Sequence, residues 1–236
     1  MITCHGCSLT KYKWKCWPEF LQWFVDDDIH NYGVSGNANE TITRSVIDTA
    51  LRIRPTKMYI MWTGPDRYEI IRDEVEEYEV KKTKQTFKTY NKEFGWNTWA
   101  GGHWNATYDR LYKTEFSESR QNQTRNLERV LYIQHFLQKL NVDYVMMQMN
   151  AFSIQHHSFS KGYSRLYDQV DWDKWVWYED KKGLLEFQLE QYPDQIHKGD
   201  WHPAPYAHYE WLRQIVLKTD QDCPPDIKKK IIKEKR

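Results

Sequence analysis

The chain has 236 residues, enough for one large domain or two small ones and for a sizeable core. Its 34 basic and 33 acidic residues are interspersed and leave a net charge of +1, which argues against the one-sided basic footprint of a nucleic-acid or anionic-membrane binder. No apolar run reaches the roughly 18–20 residues that cross a bilayer, and the N-terminus shows no basic segment followed by an apolar one, so the expectation is a cytoplasmic protein without signal peptide or membrane span.

Residues 2–6 read as a short strand that stops at Cys7-Ser8. Residues 17–25 read as a helix, with Pro18 tolerated in its first turn. Residues 29–32 fit a second strand. Over residues 37–53, Ile42, Val46, Ile47 and Ala50 recur at helical spacing, Asn39 can cap, and Pro55 closes the segment. Residues 57–62, apolar on both faces, suit a buried parallel strand. A long amphipathic helix is expected within residues 117–141, a second buried strand over 143–149, and a final helix over 205–217. Alternation of strand and helix predicts an α/β domain with a parallel sheet. Ligands of such sheets sit beyond the carboxyl ends of the strands, where Ser8, Gly36 and Gly64 all fall.

Two stretches break the alternation. Residues 68–116 pass from a charged run into an aromatic, glycine-rich one (Phe94 to Trp104) and read as an insertion over the sheet edge, a lid. Residues 152–199, with Trp172, Trp175 and Trp177, look similar. Twelve tryptophans exceed the needs of a core, so some are expected on a surface or in a cleft. The domain is expected over residues 1–219, followed by a charged tail, 220–236, whose lysines read as a solvated or frayed helix.

The chemistry-bearing residues are few. Ser8, at a strand end, needs a base and oxyanion donors to act as a nucleophile. His202 is the base candidate. Pro203 biases it towards extended backbone, where Asp200, two residues away, lies on the same side and can hold one ring nitrogen. The turn from Gly33 to Asn39 offers close backbone approach and a helix N-terminus, which makes the turn the oxyanion candidate. Arg67 either binds an anionic or sugar-like group or pairs with Glu69 or Glu40. Cys4-x-x-Cys7, with His5 between, has zinc-ligand spacing, but a matching second pair is missing nearby; small buried thiols are the other reading. His103, His156 and His157 read as loop or surface residues. The sequons at Asn39, Asn105 and Asn122 read as ordinary asparagines.

In order and spacing, these pieces resemble the SGNH (GDSL-like) hydrolase family over nearly the whole chain. Gly6-Cys7-Ser8-Leu9-Thr10 is similar to its first block, with Cys7 where Asp is usual. Asn31-Tyr32-Gly33-Val34-Ser35-Gly36 is similar to the second, and Asp200-Trp201-His202-Pro203 to the last, with His208 where many members continue. The resemblance implies a three-layer α/β/α sandwich with a mainly parallel, flavodoxin-like sheet. It also implies a catalytic set of Ser8, Asp200 and His202, with the Ser8 and Gly36 amides in the oxyanion hole. The third block departs: Trp62-Thr63-Gly64-Pro65-Asp66-Arg67 stands where the family has an oxyanion-donating Asn, and ionised Asp66 cannot donate. Asn37, Asn39, Thr63 and Arg67 are the replacement donors to consider, and Thr63, Asp66 and Arg67 the substrate-binding candidates. This variant resembles a branch found in bacteriophage and environmental bacterial sequences, which implies a virus-encoded protein.

The expected function is a serine-dependent esterase or carbohydrate O-deacetylase acting on a small-molecule or carbohydrate ester, with no cofactor or metal. An O-acyltransferase shares the acyl-enzyme, and a non-catalytic carbohydrate-binding or structural protein shares the fold.

Overall fold

The computed structural model describes residues 1–71, 78–80, 85–87, 90–91, 96–100, 110–111, 114–115, 118–151, 161–196 and 200–233. Its centre is a five-stranded sheet of β1 (Ile2–His5), β2 (Ile29–Asn31), β3 (Lys57–Trp62), β9 (Asp143–Gln148) and β10 (Trp175–Val176). All pairings are parallel, and the order is β2-β1-β3-β9-β10. Counting these five in chain order gives 2-1-3-4-5, the doubly wound arrangement whose direction of winding reverses between β1 and β3.

Alternation along the strands divides the core into two faces. Met58, Ile60 and Trp62 of β3 and Tyr144 and Met146 of β9 pack with α2 (Asn39–Arg52) and α3 (Ser119–Leu140). Tyr59 and Met61 of β3 and Met147 of β9 pack on the opposite side. There they meet α1 (Trp17–Leu21), α5 (Leu184–Gln191), α6 (Pro205–Glu210) and α7 (Pro225–Lys233). Lys161–Tyr167 forms α4 and contributes Tyr163 and Tyr167 to the first face. The three-layer α/β/α architecture thus follows from strands apolar on both faces.

Several expected elements shorten at their ends. The helix expected over 17–25 stops at Leu21 and continues as turns, and α2 begins at Asn39, capped by Ala38 rather than by Asn39. The final helix changes after Glu210 into a π-helical stretch, Trp211–Val216. Residues 152–199 are not a second insertion: they carry the edge strand β10 and helix α5, too short for periodicity to reveal. The stretch set apart as a tail holds α7, which docks Ile231 (3% exposed) and Ile227 on the core. Within 68–116 the described pieces include short antiparallel strands: β4 (Glu69–Ile71), β5 (Tyr78–Val80), β6 (Gln85–Phe87), β7 (Tyr90–Asn91) and β8 (Trp96–Ala100). The glycine-rich end of the expected lid, with His103, lies outside the described residues, as do His156 and His157. Among the described residues, no helix is long and apolar enough to cross a membrane.

Gly183 caps α5 against the end of β9. A β-carbon there would lie 2.5 Å from the Gln148 carbonyl oxygen and from the Met149 carbonyl carbon. Backbone cannot yield as a side-chain end can. Gly183→Ala is therefore expected to cost about 1–3 kcal/mol. Thermal denaturation should register this at about 2–4 °C per kcal/mol for a chain of this size, and an unchanged Tm would refute the close packing.

Candidate active site

Sheets of this order open a crevice at the carboxyl ends of the strands where the winding reverses, and here the chain leaving β1 runs directly into Ser8. After Cys7 the backbone closes a tight turn, with the Thr10 and Lys11 N–H groups both donating to the Cys7 carbonyl at 2.9 and 3.1 Å. Ser8 and Leu9 occupy the start of this turn, where N–H groups lack intrahelical acceptors. Among the described residues, the Ser8 N–H has no acceptor.

His202 reaches Ser8 from the far end of the chain. Its Nε2 lies 2.8 Å from Ser8 Oγ. Its Nδ1 lies 2.5 Å from Asp200 Oδ1, which also accepts the His202 main-chain N–H at 3.2 Å. Placing Asp200 and His202 on one side, as extended backbone requires, thus gives a three-member hydrogen-bonded line. With Nδ1 donating to the carboxylate, Nε2 is the acceptor for the serine proton. Ser8 and His202 are both buried, at 5% and 8% exposure.

Charge is arranged to keep this tautomer. Burial raises the proton affinity of Asp200, but hydrogen bonds from Tyr12, His202 and Lys13 outweigh it and hold the carboxyl well below its usual range. Burial lowers the proton affinity of His202. Asp200 opposes that shift, while the Arg67 and Lys13 cations add to it. A neutral imidazole beside an ionised carboxylate is the state a general base needs.

The loop after β2 packs beside Ser8 because the Val34 N–H and the Asn37 side-chain amide both donate to the Gly6 carbonyl, at 3.1 and 3.4 Å. The Asn37 N–H closes a turn on the Val34 carbonyl with Gly36 at φ 84°, the left-handed position that a type II turn reserves for glycine. Among the described residues, the Gly36 N–H has no acceptor.

The replacement donors separate clearly. Asn39 is a strut: its amide nitrogen donates to the Thr63 carbonyl (3.0 Å) and Asn126 Oδ1 (2.7 Å), and its oxygen accepts the Thr63 N–H (2.9 Å). Both hydrogens are engaged, so Asn39 cannot serve as an oxyanion donor. Thr63 is fully buried, and its hydroxyl is directed at Met149 Sδ, 3.6 Å away, which removes it from substrate as well. Asp66 is exposed, with its carboxylate folded against Gly64. Asn37 keeps one amide hydrogen without an acceptor among the described residues. Arg67 donates from Nη1 to the Asn37 carbonyl at 3.2 Å, while Glu40 pairs with Arg129 instead. Of the four donors, Asn37 and Arg67 remain.

Zinc ligation by the Cys4–Cys7 pair with His5 is ruled out by strand alternation. The two thiols enter one core face, whereas His5 turns to the other and bonds Ser45 Oγ (2.8 Å) and Thr3 Oγ1 (3.1 Å).

Sequence reasoning passed over Tyr12, Lys13, Trp14 and Trp201. The Tyr12 and Trp201 rings lie nearly parallel to the His202 imidazole, with centroids 4.1 and 4.2 Å away. Two rings at that spacing cannot share one face, so the imidazole is held between them. Trp14 Nε1 donates to the Pro203 carbonyl at 2.9 Å. The available signal was the alternation Lys11-Tyr12-Lys13-Trp14-Lys15, which in extended chain turns both aromatics to one side.

No protein-family model matches the chain, and no curated protein matches it. Solved structures with similar folds include a psychrotrophic esterase from Pseudoalteromonas sp., at 13% identity and TM-score 0.48, covering 92% of this chain and 96% of that one. A catalytic mutant of an acetylxylan esterase from Geobacillus stearothermophilus matches at 13% identity and TM-score 0.44, covering 88% of each chain.

Proposed function

We propose that the chain is a serine-dependent ester hydrolase of the SGNH type. The observation that carries this reading is the continuous line from Ser8 Oγ through both nitrogens of His202 to the Asp200 carboxylate. In the first half-reaction, Ser8 Oγ bonds to the ester carbonyl carbon as its proton passes to His202 Nε2. The Ser8 and Gly36 N–H groups, with Asn37 Nδ2 and Arg67 as side-chain donors, receive the oxyanion. Collapse breaks the bond to the alcohol, which leaves with the His202 proton. A water molecule, deprotonated by His202, then releases the acid and restores Ser8.

The proposed substrate is an acylated carbohydrate or a small ester. Trp201, half exposed (52%) and stacked on His202, offers an apolar platform at the base for a sugar ring or an acyl chain. A fluorophosphonate probe tests the nucleophile: Ser8 Oγ displaces fluoride, and mass spectrometry should find one adduct, on the peptide containing Ser8. Folded protein whose Ser8 stays unlabelled would overturn the assignment.

A further inference from the structure

Tyr12 follows the nucleophile by four positions and is 188 residues from Asp200, yet the two side chains meet. The carboxylate has two occupied ends. Oδ1 accepts from the His202 ring and main chain, while Oδ2 accepts from the Tyr12 hydroxyl at 2.7 Å and pairs with Lys13 Nζ at 3.2 Å. The Tyr12 ring also lies against the imidazole at an interplanar angle of 16°. One side chain therefore grips both partners of Ser8, and it does so from the loop that carries Ser8.

We propose that Tyr12 is a positioning residue for the base: its hydroxyl restrains the Asp200 carboxylate and its ring restrains the His202 imidazole, so that the nucleophile loop sets the base's orientation and proton affinity. This rests on reading Ser8, His202 and Asp200 as the catalytic set. The hydroxyl draws charge from Oδ2 and so weakens the carboxylate's hold on a protonated imidazole. Among the described residues, the other charged or titratable groups facing His202 are Lys13 and Arg67, both of which oppose its protonation, and His208, which burial keeps neutral with its pKa lowered to about 3. Removing the Tyr12 hydroxyl leaves these groups in place and gives His202 a more strongly basic partner.

Tyr12→Phe keeps the ring and loses the hydroxyl, while Tyr12→Leu loses both. The readouts are an NMR titration of the His202 ring and the pH profile of kcat on a chromogenic acetyl ester. Tyr12→Phe should raise the His202 midpoint, and with it the acid limb of the profile, by about half a pH unit or more, with KM unchanged. Tyr12→Leu should in addition lower kcat on the plateau by about tenfold, because the imidazole loses one of its two walls. A residue that only packs would lower activity uniformly across pH. Should Tyr12→Leu not fold, Tyr12→Phe carries the test. Unshifted midpoints in a Tyr12→Phe protein, alongside wild type whose Ser8 the fluorophosphonate labels, would overturn the Tyr12 inference alone. A wild type whose Ser8 stays unlabelled would overturn both.

Discussion

Ser8→Ala is expected to lower kcat on a chromogenic acetyl ester by about four orders of magnitude or more. The size follows from what is lost. Without Oγ there is no acyl-enzyme, His202 has no serine proton to accept, and only the oxyanion donors remain to assist attack by water. The fold should persist, because the Ser8 side chain makes a single hydrogen bond among the described residues, to His202. Losing a lone bond of that kind typically costs only about 1 kcal/mol. The main-chain turn is built instead from the Cys7 carbonyl, which the substitution leaves untouched. Steady-state kinetics beside circular dichroism separates the two effects. Undiminished turnover in folded Ser8→Ala protein would remove Ser8 as nucleophile.

Asp200→Asn is expected to cost about three to four orders of magnitude in kcat. An amide must choose which end to present to His202. Tyr12 and Lys13 both donate at Oδ2, against the single main-chain N–H of His202 at Oδ1, and Lys13 has no acceptor to offer an amide nitrogen. The amide oxygen will therefore turn towards them, leaving the NH₂ group facing His202 Nδ1. Nδ1 must then accept, the ring proton moves to Nε2, and Nε2 can no longer take the proton of Ser8. The pH dependence has a definite sign. In the wild type, burial keeps the His202 midpoint below the ordinary imidazole value of about 6.5, so activity should rise with pH and level off early. Loss of the Asp200 charge, which favours protonation, should move the residual acid limb lower still, opposite in direction to the shift expected of Tyr12→Phe. A near-normal kcat in Asp200→Asn would mean that the carboxylate does not set the tautomer.

The main strands and long helices could be read along the chain because each is written in a local pattern. The apolar residues of 57–62 and 143–149 sit on both faces, and Ile42, Val46 and Ala50 recur at helical spacing on the buried side of α2. The same locality made Asp200 and His202 legible, since extended backbone ahead of Pro203 puts them on one side. Short elements carry too few residues to show a period, which is why β10 and α5 were hidden in a stretch that looked like an insertion.

Other features depended on which distant groups arrive at the same place. Asn39, at the start of a helix after a glycine-rich turn, has the right chemistry for an oxyanion donor. Only the meeting of α2, α3 and the end of β3 shows that Thr63 and Asn126 take both of its amide hydrogens. The alternation around Tyr12 shows only that its ring and that of Trp14 face one side; its partner Asp200 is brought to it by the sheet order and not by the sequence between them. Ser8, His202 and Asp200 were thus determined as residues by local sequence. That they form one hydrogen-bonded line, clamped by Tyr12, Lys13 and Trp201, was decided by tertiary structure, because hydrogen bonds and ring contacts depend on distance through space.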